Sequence, residues 1–96
     1  SSSAALEMAC LRAFAEVSGK SWQPQIAAKM AQQAETEWVG ISCGIMDQLI
    51  SACGVAGHAL FIDCRNLEMK PVKLPEGIRV MILDTMTRRG LVDSLY

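Results

Sequence analysis

Three short stretches of the sequence carry residues that could do chemistry. The first is the run Ser1 to Ser3, followed by two alanines, directly ahead of a helical pattern. The start of a helix offers unpaired N–H groups and the positive end of its dipole, so it binds phosphate readily. Serine hydroxyls add donors and can also ligate magnesium. The alternative for these serines is an ordinary N-cap or the remnant of a tag.

The other two stretches contain carboxylates. Asp47 follows Cys43 and Gly44 and falls in the predicted first turn of a helix, where the dipole alone stabilises a carboxylate. In a pocket the same group could act as a base, and Gly44 would let a ligand approach the backbone. Glu35 stands among uncharged amide side chains, and a solvated surface carboxylate is the ordinary interpretation of such a residue.

Helical periodicity predicts the elements that hold these residues. Apolar residues recur at helical spacing in three segments, and each set predicts one apolar face of a helix. Ser-Gly at 18–19, Gly40 and Gly54 end the three helices, and Ser21 with Pro24 marks the second start. The three predicted faces consist of Leu6, Cys10, Phe14 and Val17, then Ile26, Met30, Ala34 and Trp38, then Ile45, Met46, Leu49, Ile50 and Cys53.

After Gly54 the period changes to that of strands. The run from His58 to Cys64 predicts a strand, and Pro71 makes the next one an edge strand. A turn at 75–77 precedes a nearly continuous apolar run, 78–83, which predicts a buried central strand. The pattern from Leu91 onward is helical. Helices grouped before strands predict an α+β fold, with helices packed on a mostly antiparallel sheet.

Composition excludes several classes of function. The 96 residues carry 9 basic and 10 acidic side chains without long runs of either sign, so we expect no nucleic-acid or membrane partner. The apolar runs are too short to cross a bilayer. The four cysteines lack metal-ligand spacing and predict small core residues of a reducing compartment, so we expect a cytosolic protein.

Four separated motifs together resemble one family. The string from Cys43 to Gln48, CGIMDQ, resembles the signature of galactokinases, in the family of galacto-, homoserine, mevalonate and phosphomevalonate kinases. The head, SSSAAL, is similar to the end of that family's phosphate loop. The stretch 33–35, QAE, lies at the family spacing before Asp47. The segments 57–68 and 84–96 also resemble galactokinase sequences.

The resemblance implies ATP-dependent phosphorylation of the anomeric hydroxyl of galactose, with magnesium. It implies that Ser1, Ser2 and Ser3 hold the ATP phosphates, and that Ser3 and Glu35 ligate magnesium. Asp47 is then the catalytic residue at the sugar hydroxyl. Cys43 and Gly44, with Asp47 and Tyr96, are the residues implied to contact galactose, while Arg88 receives no role.

The same resemblance sets the expected domain organisation and its alternatives. We expect residues 1–96 to be part of one domain, the ATP- and sugar-binding N-terminal domain, whose family fold is a ribosomal-protein-like βαβ sandwich. The family's extreme N-terminus and C-terminal domain are absent from these residues, so we expect the chain alone to be inactive and to self-associate. A sister kinase for N-acetylgalactosamine or another sugar, or a non-catalytic sugar-sensing relative, is the alternative.

Overall fold

The computed structural model describes residues 2–40 and 42–87, in which three helices precede a two-stranded antiparallel sheet. The predicted α+β class is therefore confirmed. In chain order the elements are α1 (Ser2–Val17), α2 (Pro24–Ala34), a π-helical turn (Glu35–Val39), α3 (Met46–Cys53), β1 (His58–Asp63) and β2 (Glu68–Lys73).

The helices end where the sequence predicted. Pro24 lies at the start of α2, where its missing N–H costs nothing. Gly40 closes the π-helical turn with a φ of 77°, in the left-handed region that glycine adopts without strain. At Gly54, after α3, a Cβ atom would lie 2.8 Å from the Ile50 carbonyl oxygen, so a larger residue does not fit. Within 2–40 and 42–87, none of the helices has the length and apolar content of a bilayer span.

The two strands form a hairpin whose register places Leu60 opposite Pro71. The predicted first strand is confirmed, and Pro71 lies in an edge strand as expected. At the connection, the Arg65 side chain donates to both carboxylate oxygens of Asp63, at 3.0 and 2.7 Å. This exposed pair lowers the pKa of Asp63, and it links the end of β1 to the turn.

Alanines of α2 form the centre of the core. Ala27 and Ala31 pack with Met8 of α1, and Ala28 packs with Ile45 and Leu49 at the start of α3. Side chains this small let neighbouring helices approach α2 closely. The hairpin packs against the second of these clusters through three partly buried residues, Ile62, Leu67 and Met69.

The apolar faces predicted for α1 and α2 are not the faces that pack in the described chain. Leu6 and Phe14 of α1 are exposed, and so are Ile26 and Met30 of α2. Both helices carry apolar residues on more than one side, so spacing alone could not select the face that packs. The alanine faces pack because they bring the helix backbones closer together. The predicted face of α3 is right at Ile45 and Leu49, while Ile50 is exposed.

The predicted strand at 78–83 is also wrong for the described chain. These residues have no strand pairing, and Val80, Ile82 and Leu83 are each at least 80% exposed. The turn before them is present, with Gly77 at a φ of 82°. A strand needs a neighbour to pair its backbone groups, and among the described strands β1 and β2 pair with each other. The helix predicted from Leu91 lies outside the described residues.

The packing predicts unequal effects for two identical substitutions. Leu49 is fully buried and Leu6 is 66% exposed. Leu49→Ala should lower the free energy of unfolding by about 2–5 kcal/mol, because it removes buried methyl groups and leaves a cavity. Leu6→Ala should change it by less than about 0.5 kcal/mol. Urea unfolding of the dilute 96-residue chain, followed by circular dichroism, measures both. Equal losses would mean that the sequence-predicted face of α1 is buried after all.

Candidate active site

The first turn of α1 meets the end of α2. The helix begins at Ser2; Ser2 and Ser3 are exposed, whereas Ala4 points into the core. The Ser3 hydroxyl makes a hydrogen bond to the side chain of Glu35. Ser1 lies outside the described residues. The predicted phosphate-binding serines and the predicted magnesium carboxylate are therefore in contact at Ser3.

Glu35 is the first residue of the π-helical turn and is only 4% exposed. The hydrogen bond from Ser3 lowers the pKa of Glu35, further bonds from Glu7 and Cys43 act in the same direction, and burial opposes them. The side chain is therefore held as a carboxylate at neutral pH. The alternative of a solvated surface carboxylate is wrong. π-helical turns often occur at functional sites, because the extra residue redirects a side chain.

The loop before α3 brings Cys43 to this carboxylate. The Cys43 thiol donates to Oε2 of Glu35 at 3.7 Å, and the Gln32 amide donates to the Cys43 carbonyl oxygen at 2.9 Å. Burial raises the pKa of Cys43, and the negative charge of Glu35 raises it further, so the thiol stays protonated. Gly44 follows, and a Cβ atom there would have no described atom within 4 Å. Neither packing nor a positive φ explains the glycine.

Asp47 lies in the first turn of α3 and is half-buried. No side chain caps this helix, and within the described residues the Asp47 carboxylate takes part in no hydrogen bond or ion pair. Its neighbour Gln48 is 2% exposed and places its amide nitrogen 4.0 Å from the Cys43 sulfur. The structure thus joins Ser3, Glu35 and Cys43 in one cluster. Asp47 directly precedes Gln48, whose side chain reaches that cluster.

These residues lie within a sequence pattern that a known protein family shares. The sequence pattern of the GHMP kinases N terminal domain matches residues 1–55, which include Ser3, Glu35 and Asp47. The chain belongs to the GHMP kinase family. It is also 48% identical, over all 96 residues, to a protein named galactokinase from Chloroflexus aggregans (strain MD-66 / DSM 9485). The chain spans 25% of the length of that relative. The family membership predicted from the motifs is confirmed.

Two residues of the GHMP kinase cluster escaped the sequence analysis, Glu7 and Gln48. The Glu7 carboxyl group contacts both Glu35 and the Gln48 side chain. Burial raises the pKa of Glu7, and the neighbouring Glu35 raises it further. A signal existed for Glu7, since it lies four residues after Ser3 and so on the same face of α1. Gln48 is the last residue of the CGIMDQ string that carries the resemblance, but no role was assigned to it.

The remaining sequence predictions concern Tyr96, Arg88, the cysteines and metal binding. Tyr96 and Arg88 lie outside the described residues. All four cysteines are free thiols, but Cys10 and Cys64 are exposed and are not the core residues that the sequence predicted. No group of three or more His, Cys, Asp or Glu side chains in the described part of the chain could hold a metal ion.

Proposed function

We propose that this chain is part of a galactokinase, which transfers a phosphoryl group from ATP to the anomeric hydroxyl of galactose. The observation that carries the proposal is the contact between Ser3 at the start of α1 and the buried, ionised Glu35. It unites a phosphate-binding helix start with a fixed negative charge. The 48% identity to a galactokinase over the whole chain supports the choice of reaction and sugar.

The ATP phosphates would bind at the start of α1. Ser2 and Ser3 are exposed there, and Ala4 behind them is buried, so the first turn of the helix is accessible to a ligand. Ser1 is proposed as the third phosphate-binding serine, because the resemblance implies that role. Phosphoryl transfer needs chiefly positioning and neutralisation of phosphate charge, and a helix start supplies donors for both.

The residues present fit magnesium. Mg²⁺ prefers oxygen ligands and is usually bound by one or two carboxylates together with substrate phosphates. The absence of a three-ligand cluster within 2–40 and 42–87 is compatible with such a site. Ser3 and the ionised Glu35 would hold the ion by oxygen atoms. When bound, it would neutralise charge on the phosphates.

The sugar would bind beside the loop before α3. Asp47 has a carboxylate without a described partner, so it can accept a hydrogen bond or the proton of the anomeric hydroxyl. Cys43 and Gly44 would line the pocket, and Gly44 has no side chain to obstruct a ligand that approaches the backbone. Tyr96 is proposed as a further sugar contact on the resemblance alone.

Two other functions remain alternatives for the intact protein. A kinase for N-acetylgalactosamine or another sugar would use the same phosphate and magnesium residues. A sugar-sensing relative without activity is disfavoured, since Glu35 and Asp47 are both present. We also propose a cytosolic location, because four free thiols suit a reducing compartment. We propose small molecules as the only partners.

The first prediction separates a catalytic Asp47 from a helix-stabilising one. Asp47→Asn keeps the shape of the side chain but cannot accept a proton. In the intact kinase it should lower turnover by at least about 10²-fold, with little change in the melting temperature. The helix dipole alone would make the aspartate worth about 0.3–1 kcal/mol in stability and nothing in rate. Near-normal turnover with a large thermal loss would make Asp47 a structural residue.

The second prediction concerns Glu35. Glu35→Gln preserves the size of the side chain but removes the charge, so the magnesium concentration for half-maximal turnover should rise and turnover should fall. Galactose binding should stay nearly intact, because the sugar is proposed to bind beside Asp47 rather than Glu35. Glu37→Gln is the matched control, since Glu37 lies on the same π-helical turn and is exposed. An unchanged magnesium requirement in Glu35→Gln would contradict the assignment of Glu35 as a magnesium ligand.

A third prediction concerns the 96-residue chain alone. It should not turn over galactose, and it should self-associate through the exposed apolar segment 78–83. Sedimentation velocity over a range of concentrations should show larger species. Val80→Lys with Ile82→Lys should reduce them, whereas Val17→Lys, on an equally exposed helix position, should not. A chain that stays monomeric at high concentration, or that phosphorylates galactose, would contradict the prediction.

A further inference from the structure

Glu7 is a partly buried acidic residue with no role in the proposed reaction. It lies on α1 one helical turn after Ser3, so both side chains leave the same face of the helix. Both reach the Glu35 side chain from that face. Glu35 is thus held between two side chains of α1 and the Cys43 thiol of the following loop.

Stability does not explain a glutamate at this position. Oε2 of Glu7 is buried and has no hydrogen-bond partner among the described residues. Burying a carboxyl group costs free energy when its oxygen atoms are not all satisfied by hydrogen bonds. The next residue along the helix, Met8, shows that α1 packs well with an apolar side chain. A residue that is costly for folding but held in contact with Glu35 has its explanation in what Glu35 does.

The other contact of Glu7 ties it to α3. The Gln48 side chain makes a hydrogen bond to the Glu7 carboxyl group, and Gln48 is itself 2% exposed. Gln48 also places its amide nitrogen near the Cys43 sulfur. Glu7 therefore joins the start of α3 to Glu35 at the end of α2, and its own position is fixed from both sides.

We propose that Glu7 is a positioning residue, which fixes the orientation in which Glu35 presents its oxygen atoms to the metal ion of the nucleotide. The inference rests on the proposed function, because it assigns Glu35 to magnesium. Partners that orient a metal ligand without touching the metal usually matter about 10- to 100-fold in metal affinity or activity. Glu7 would act in this way through hydrogen bonding alone.

The test compares two substitutions in the intact kinase. Glu7→Gln keeps the length of the side chain and a polar group that can hydrogen-bond to Glu35 and Gln48. Glu7→Met keeps the length but removes all hydrogen bonding. The control pair is Glu16→Gln and Glu16→Met, because Glu16 lies on the same helix, is exposed and pairs only with Arg12 among the described residues.

The main measurement is metal binding rather than activity. Electron paramagnetic resonance of free Mn²⁺ gives its dissociation constant in the presence of a non-hydrolysable ATP analogue. Glu7→Met should raise that constant by about 10-fold, and Glu7→Gln should change it by less than about 2-fold. In turnover assays Glu7→Met should raise the magnesium requirement while the KM for galactose stays near its original value. The Glu16 variants should leave both quantities unchanged.

A double variant shows whether Glu7 acts through Glu35. If it does, Glu7→Met with Glu35→Gln should bind Mn²⁺ no more weakly than Glu35→Gln alone. Additive losses would overturn the inference, as would normal binding in Glu7→Met or an equal loss in Glu7→Gln. Unchanged binding in Glu35→Gln would instead refute the magnesium assignment of the proposed function, and this inference with it. If Glu7→Met does not fold, as judged by its melting temperature, Glu7→Ala takes its place.

Discussion

The carboxylate of Glu35 is the group on which the arrangement of the chain depends. An ionised side chain that is 4% exposed has lost nearly all its water, and this is tolerable only where hydrogen bonds replace the water. The partners come from two other parts of the chain, Ser3 and Glu7 on α1 and Cys43 on the loop before α3. Satisfying one carboxylate therefore fixes the start of α1 and the start of α3 relative to the end of α2.

The small side chains of α2 make this arrangement possible. A serine hydroxyl reaches only a short distance from its backbone, so Ser3 can contact Glu35 only if α1 lies close to α2. Ala27 and Ala31 allow that approach against Met8, and Ala28 does the same for Leu49 of α3. Larger residues on this face would increase the distance between the helix axes. The alanine core and the polar cluster are thus two consequences of the same close packing.

The sequence predicted the local features well, because each depends on only a few neighbouring residues. Glycines at helix ends, the proline at the start of α2 and the edge strand with Pro71 all follow from backbone geometry. The faces of α1 and α2 could not be predicted, because apolar residues occur on more than one side. The strand at 78–83 failed for a related reason, since a strand forms only where another strand can pair with it.

For the site, the sequence motifs named Ser3, Glu35, Cys43 and Asp47, yet they could not show which of these touch. Glu35 begins a π-helical turn, and nothing in the ETEWV stretch distinguishes that turn from a continuing α-helix. The spacing of Glu7 from Ser3 could have indicated that both residues lie on the same face of α1. The contact of Glu7 with Glu35 depends on how α1 crosses α2, which is a property of packing rather than of the sequence of either helix.

The two carboxylates of the candidate site differ in what surrounds them, and the difference suits two kinds of chemistry. Glu35 is buried and held by several donors, so its charge and orientation are fixed, as a ligand for a cation requires. Asp47 is half-buried, and the described residues give it no partner, so its oxygen atoms remain available to a hydroxyl group. Environments that separate two acidic groups in this way are how one site assigns them different tasks. The loop from Cys43 to Gly44 lies between them in sequence and contacts Glu35 directly. A ligand bound beside that loop would lie near a fixed charge on one side and a free acceptor on the other.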